Sequence, residues 1–364
     1  MFCCKDRVLR TLICSCATVG MAMLPACAVT GSSSDLSSGT GFPGPSHALI
    51  DSSLAFDGQA EVLFGGSFVN GPIVSTAVWT SSSLPSTWKV ANHADAKGWS
   101  GTLVSPDAGA YDQSINKLVA VSMLAKGYAT WTFQDNVWSR VSSGSLSSVS
   151  SLMRPLGVVY DQRLRTDLLV TCDSRMPNSS ASIWAFANNG WKPVATNQTG
   201  PSCSQTAGIA YDQSNASVVA YEGNYPLPKT KKPLEGILPK ASTTWEWKGG
   251  TWKTLDVSKS SPNVYMVAFA YDPATSEDVL LGFTKHFLAN KGFISRERMQ
   301  TWVLRDNVWI QLHPASQPPL NSPAFGYDPS TRSMLLVGGW NPHHPQSQGE
   351  WTWSGSNWTH IVTR

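Results

Sequence analysis

Six copies of one pattern run through the chain, and self-similarity at a period near fifty residues restricts the fold more than any single motif could. An apolar run closes on Tyr-Asp, once on Phe-Asp, at Asp57, Asp112, Asp161, Asp212, Asp272 and Asp328, with intervals of 55, 49, 51, 60 and 56 residues. Five to seven residues after each Asp a second apolar run begins: VLFGG at 62, LVAVS at 118, LLVTC at 168, VVAYE at 218, VLLGF at 279 and LLVGG at 335. These runs are short and leucine-rich or β-branched, as strands are. After a variable loop come two tryptophans seven apart: Trp131 and Trp138, Trp184 and Trp191, Trp245 and Trp252, Trp302 and Trp309, Trp351 and Trp358, with Trp79 and Trp88 as a looser first pair. Asp135-Asn136, Asn189-Gly190, Gly249-Gly250 and Asp306-Asn307 between them are turn residues, so each pair brackets a hairpin. A turn at 134 and 135 predicts Trp131 directly opposite Trp138, both indoles on one face of the sheet.

Each repeat thus reads as four strands, A to D, and six such units predict an all-β fold, a six-bladed β-propeller of four-stranded antiparallel blades over residues 47–364. Both end copies look complete, so the expected ring closes by side-chain packing between blades one and six. Composition agrees. Only 14% of residues are charged, while 29 Gly, 23 Pro and 16 Trp suit short strands and turns rather than helices. A formal charge of +3 leaves no basis for a nucleic-acid partner.

The N-terminus reads as an export signal over residues 1–28. Lys5, Arg7 and Arg10 precede an uncharged stretch from 11 to 26 that is too short to span a bilayer comfortably. Leu24-Pro25-Ala26-Cys27 resembles a lipobox, which would make Cys27 the lipidated first residue; Ala26-Cys27-Ala28 equally suits ordinary cleavage before Val29. The Ser- and Gly-rich segment 29–46 is the tether a surface-anchored domain requires, which favours the lipoprotein over a soluble secreted form. Removing residues 1–28 leaves 24 basic and 23 acidic side chains. Of seven cysteines only Cys172 and Cys203 lie in the body; with no CxxC and no histidine at ligand spacing, they read as one disulfide in an exported monomer.

The pattern resembles kelch repeats, most closely the bacterial variant similar to the central domain of galactose oxidase. The last copy carries it best, FGYDPSTRSMLLVGGW followed by EWTWSGSNW, with Gly338-Gly339 in the kelch double-glycine place. Only Gly65-Gly66 repeats both glycines, so copies two to five are expected to end strand B with other geometry. Galactose oxidase uses copper held by two Tyr and two His with a Tyr–Cys thioether. Here His343-His344 is the one cluster among seven histidines and has no Cys nearby, so the resemblance implies the fold without the oxidase, and no cofactor or metal is expected.

Twelve of the sixteen tryptophans belong to the repeat pairs and are expected in the core; the six Asp residues are expected to accept backbone N–H bonds in tight A-to-B turns. Function is expected on the opposite face, where the B-to-C and D-to-A loops are long. Two insertions there are basic: 222–243 with Lys229, Lys231, Lys232 and Lys240, and 283–300 with Lys285, His286, Lys291, Arg296 and Arg298. Segment 340–350 adds Trp340, His343 and His344. A solvated loop explains such charges; an anionic surface polymer or an acidic protein would also use them. The reading is a non-catalytic binding or scaffold module of the cell envelope for a glycan or protein, reaching the membrane only through its lipid. Its rival is a carbohydrate-active enzyme with convergent carboxylates.

Overall fold

The structure is a computed structural model, and it describes residues 49–68, 79–81, 88–90, 108–124, 127–144, 153–173, 180–202, 207–223, 242–257, 261–284, 287–288, 292–293, 298–320, 322–340 and 349–361. These residues form six four-stranded antiparallel sheets and one two-stranded ribbon. Blade one is β1 (Leu49–Phe56), β2 (Glu61–Phe68), β3 (Trp79–Ser81) and β4 (Lys89–Val90). Blade two is β5 (Ala108–Asp112), β6 (Lys117–Leu124), β7 (Gly127–Gln134) and β8 (Val137–Gly144). Blade three is β9 (Met153–Asp161), β10 (Thr166–Asp173), β11 (Ser180–Ala187) and β12 (Gly190–Thr199). Blade four is β13 (Ala207–Asp212), β14 (Ser217–Glu222), β15 (Thr243–Lys248) and β16 (Thr251–Thr254). Blade five is β17 (Tyr265–Asp272), β18 (Glu277–Thr284), β21 (Arg298–Arg305) and β22 (Val308–Leu312), with the ribbon β19 (Phe287–Leu288) and β20 (Gly292–Phe293) between its second and third strands. Blade six is β23 (Ala324–Asp328), β24 (Ser333–Gly338), β25 (Gly349–Trp353) and β26 (Trp358–Ile361).

The innermost strands touch in a cycle, β1 to β5 to β9 to β13 to β17 to β23 and back to β1, which makes the fold a closed propeller. Its core is divided among the interfaces between blades. Val62 and Phe64 of blade one pack on Leu118, Ala120 and Trp138 of blade two. Leu168, Val170 and Ile183 of blade three meet Val218, Ala220 and Trp247 of blade four, and the other interfaces repeat the scheme. This arrangement explains why both faces of each middle strand are apolar, since each sheet is covered on both sides by its neighbours. Blades one and six each keep four strands of their own. Their closure goes beyond side-chain packing: the Gly339 N–H donates to the Leu49 carbonyl at 2.6 Å and the Asp51 N–H to the Ser322 carbonyl at 3.1 Å.

The turn aspartates behave as the sequence predicts. Asp57, Asp161 and Asp212 each accept N–H bonds from residues two and three ahead, and Asp112, Asp272 and Asp328 accept one from the residue two ahead. Gly65, Gly66, Gly338 and Gly339 all have φ between 72° and 84°, a conformation that side chains resist; the pair ends strand B in blade six and lies within β2 in blade one.

The hairpin register differs from expectation. Trp138 lies opposite Phe133, and Trp131 lies opposite Arg140. The turn is Asp135-Asn136, not 134 and 135, and in blade three it is Asn188-Asn189, not Asn189-Gly190. Both residues of each turn have φ between 52° and 62°, which identifies the type I′ turn that suits the twist of a hairpin. The second Trp therefore opposes Phe133, Phe186, Trp247, Leu304 or Trp353, two residues beyond the first Trp, and all three side chains share one face. Trp247 and Trp353, outside the repeat pairs in the sequence reading, are core residues at 3% and 0% exposure.

Candidate functional site

The inner strands enclose an axial cavity of about 500 Å³. Near its turn-side end stand Phe56, Tyr111, Tyr160, Tyr211, Tyr271 and Tyr327, the residues preceding the six turn aspartates. One phenol bridges two blades, the Tyr211 hydroxyl donating to Asp161 Oδ1 at 3.1 Å. Tyr111 bonds Asn116 in its own blade and lies against Gly58 of blade one, where a β-carbon would collide with the phenol. Burial first, and the charge of nearby Asp57, push the Tyr111 phenol above its ordinary range. Tyr160 and Tyr211 shift the same way, again chiefly through burial. Tyr111, Tyr160 and Tyr211 are therefore held as neutral donors and acceptors rather than as phenolates. The rest of the lining is chiefly apolar, with Leu54, Leu156, Ile209, Phe269 and Phe325 among its larger side chains; Ser52, Ser53, Gln113 and Gln213 add polar groups, and among the described lining residues none is charged.

A second concavity of about 340 Å³ lies between blades four and five on the turn face, lined by Asp212, Asn215, Glu246, Arg305, Asp306 and Asn307 among others. Arg305 is not available to an incoming anion there, because its guanidinium pairs with Glu277.

Of the side chains proposed from sequence, Lys229, Lys231, Lys232, Lys240, Lys285, His286, Lys291, Arg296, His343 and His344 lie outside the described residues, as do Cys27 and Cys203. Arg298 opens β21 with its backbone paired to Thr284. Trp340 follows the glycine pair in blade six and is 36% exposed, a surface indole beside the blade-one seam. Cys172 ends its apolar run on β10 and is 1% exposed.

Sequence reasoning missed three buried acids, Glu61, Asp167 and Asp278, at 5%, 0% and 1% exposure. Cross-strand register shows that they are one position in different blades. Glu61 lies opposite Phe56, Asp167 opposite Tyr160 and Asp278 opposite Tyr271. The signal was present as an acid just ahead of a strand-B apolar run, but the turn of blade one is two residues shorter and hides the equivalence.

No family model matches this chain, and no curated protein matches it. Among solved structures it is similar to the six-bladed fucose-recognising lectin of Aleuria aurantia at 12% identity and a TM-score of 0.47, over 86% of this chain and 96% of that one. It is also similar to AofleA from Arthrobotrys oligospora at 10% identity and a TM-score of 0.49, over 88% and 89%. TolB from Acinetobacter baumannii matches at 12% and 0.43, over 83% of this chain and 60% of that one. Likenesses at this level do not extend to activity.

Proposed function

We propose that the chain is a kelch-like binding or scaffold module of the cell envelope that takes a neutral, hydroxyl-rich ligand, a glycan, at its axial cavity and long-loop face. The observation that supports this reading is the lining of that cavity: uncharged and chiefly apolar, with phenols, two glutamines and two serines set into it, groups that exchange hydrogen bonds with sugar hydroxyls while aromatic faces cover apolar ring edges. The kelch assignment rests on six in-phase repeats and on the strained glycine pairs in blades one and six. Export, with lipidation at Cys27 or cleavage before Val29, rests on residues 1–28 and the polar tether behind them. The Cys172–Cys203 bridge is part of the same proposal, since one pair in an exported body serves stability better than it serves a metal. A protein partner contacting the basic loops around Lys231 and Arg296 is compatible with the same face.

The test is a glycan array probed with the mature chain, followed by incubation of the bound glycans and analysis for cleavage products. Binding without products supports the module. Products would establish the rival reading, a carbohydrate-active enzyme whose carboxylates come from the long-loop face. A Tyr160→Ala and Tyr327→Ala double variant should lose binding at least about tenfold if the cavity is the site.

A further inference from the structure

The three buried acids alternate around the ring. Position by position, the residue opposite the ring aromatic is Glu61, Leu118, Asp167, Val218, Asp278 and Met334, acidic in blades one, three and five and apolar in blades two, four and six. The strand that carries each acid packs on the inner strand of the preceding blade, β10 on β5, β18 on β13 and β2 on β23, and the charge of the turn aspartate that closes that inner strand bears on the acid: Asp112 on Asp167, Asp212 on Asp278 and Asp328 on Glu61.

A second alternation runs in phase with the first. The three aspartates whose charge bears on an acid are followed two residues on by serine, and that hydroxyl donates back: Ser114 to Asp112 at 2.5 Å, Ser214 to Asp212 at 2.5 Å and Ser330 to Asp328 at 2.6 Å. At the other three turns the same place is Gln59, Arg163 and Ala274. So the turn aspartate is an acceptor throughout these bonds, while both oxygens of Glu61 and Asp167 and Oδ1 of Asp278 have no donor among the described residues.

The other groups around each acid are few. Asp167 has Tyr160 opposite and Arg165 near that phenol; Glu61 has Asp57 beside it as well as Asp328 and lies across from Ser81; Asp278 has Tyr271 and Leu304 on its two flanks and the Glu277–Arg305 pair beside it in the chain. None of the three has a basic partner of its own among the described residues. Two carboxylates facing each other out of water cannot both stay ionised, and a proton shared between them converts repulsion into a hydrogen bond.

We propose that Glu61, Asp167 and Asp278 are protonated latches that bond blades one, three and five to the turn aspartates of blades six, two and four, so that the propeller is a ring of three blade pairs that tightens in acid. Burial, reinforced by the facing aspartate, raises all three acids well above the ordinary 3.8 of Asp or 4.5 of Glu. Their contribution is fully present below those ordinary values and is lost as pH rises through the raised native ones.

The test follows the thermal midpoint of the mature chain from pH 4.5 to 8 against a Glu61→Gln, Asp167→Asn and Asp278→Asn variant, whose amides copy the neutral acids and still donate. The wild type should lose at least about 4 °C more than the variant over that range, and the variant should melt higher at pH 8. Parallel curves, or a fall in wild-type midpoint on adding EDTA with divalent metal found in the purified chain, would overturn the proposal. Infrared difference spectra of the wild type alone give an independent reading: protonated-carboxyl absorption persisting at pH 7.5 supports the latches, and its absence rejects them even where the variant does not fold.

Discussion

At the scale of single residues, the repeated tryptophans join blades as well as fill them. The Trp191 indole donates to Thr130 Oγ1 of the preceding blade at 3.1 Å, Trp309 to Thr244 at 2.8 Å and Trp358 to Thr301 at 3.0 Å. Trp88 reaches Glu350 of blade six, so the same device crosses the seam of the ring. Trp358 is 1% exposed and packs on Trp353 and Phe325. Trp358→Ala is therefore expected to cost about 3–5 kcal/mol, the usual loss for an aromatic deleted from a core. Thr301→Val keeps the shape but strands a buried N–H, an expected loss of about 1–3 kcal/mol. Urea unfolding of both variants measures the two losses, and equal costs would mean that the hydroxyl matters as much as the whole indole.

At the scale of elements, the hairpins show where sequence spacing is ambiguous. Two tryptophans seven apart form an opposed pair only if the turn is centred between them, at 134 and 135 in blade two, and Asn189-Gly190 is a stronger turn signal than Asn188-Asn189. The structure chooses the register in which both turn residues reach φ near +55° and Trp191 pairs with Phe186, since slipping by one residue would turn the indole to the other face. The turn of blade four, Gly249-Gly250, is open: a β-carbon at Gly249 would meet nothing within 4 Å, and its φ of 63° suits asparagine. Gly249→Asn is expected to raise stability by about 0.4–1 kcal/mol by narrowing the unfolded ensemble. Gly58→Ala is expected to lower it, because φ there is 94° and the new methyl meets Tyr111. Thermal melts of the two variants should move in opposite directions.

At the scale of the whole molecule, stability depends on closing a ring whose core is spread over six interfaces. Cross-links between neighbouring blades are then worth more than those within one. Cys172 ends strand B of blade three, and Cys203 precedes the inner strand of blade four; a bridge between them would close a loop of roughly thirty residues and stabilise by about 3–4 kcal/mol in the chain-entropy model. Reduction, or Cys172→Ser with Cys203→Ser, is expected to lower the thermal midpoint, and mass spectrometry of the native chain should find no free thiol in the body. Two titrating thiols would separate the pair.

The repeat, the four strands of each blade, the turn aspartates and the burial of most tryptophans were legible in the amino-acid sequence, because each depends on contacts within one repeat and is written six times; the β19–β20 ribbon, which occurs once, was not. Only the tertiary structure decided what lies between blades. Glu61 is buried because blade six, far along the chain, packs against the strand that carries it, and Tyr211 belongs to a ring because five other strands bring their aromatics to the same axis. Such neighbours leave no local periodicity, since the distance between them along the chain is set by loops of variable length. The basic loops that looked most functional in sequence belong to those variable loops, whereas the axial cavity is lined by residues the repeat made seem merely structural.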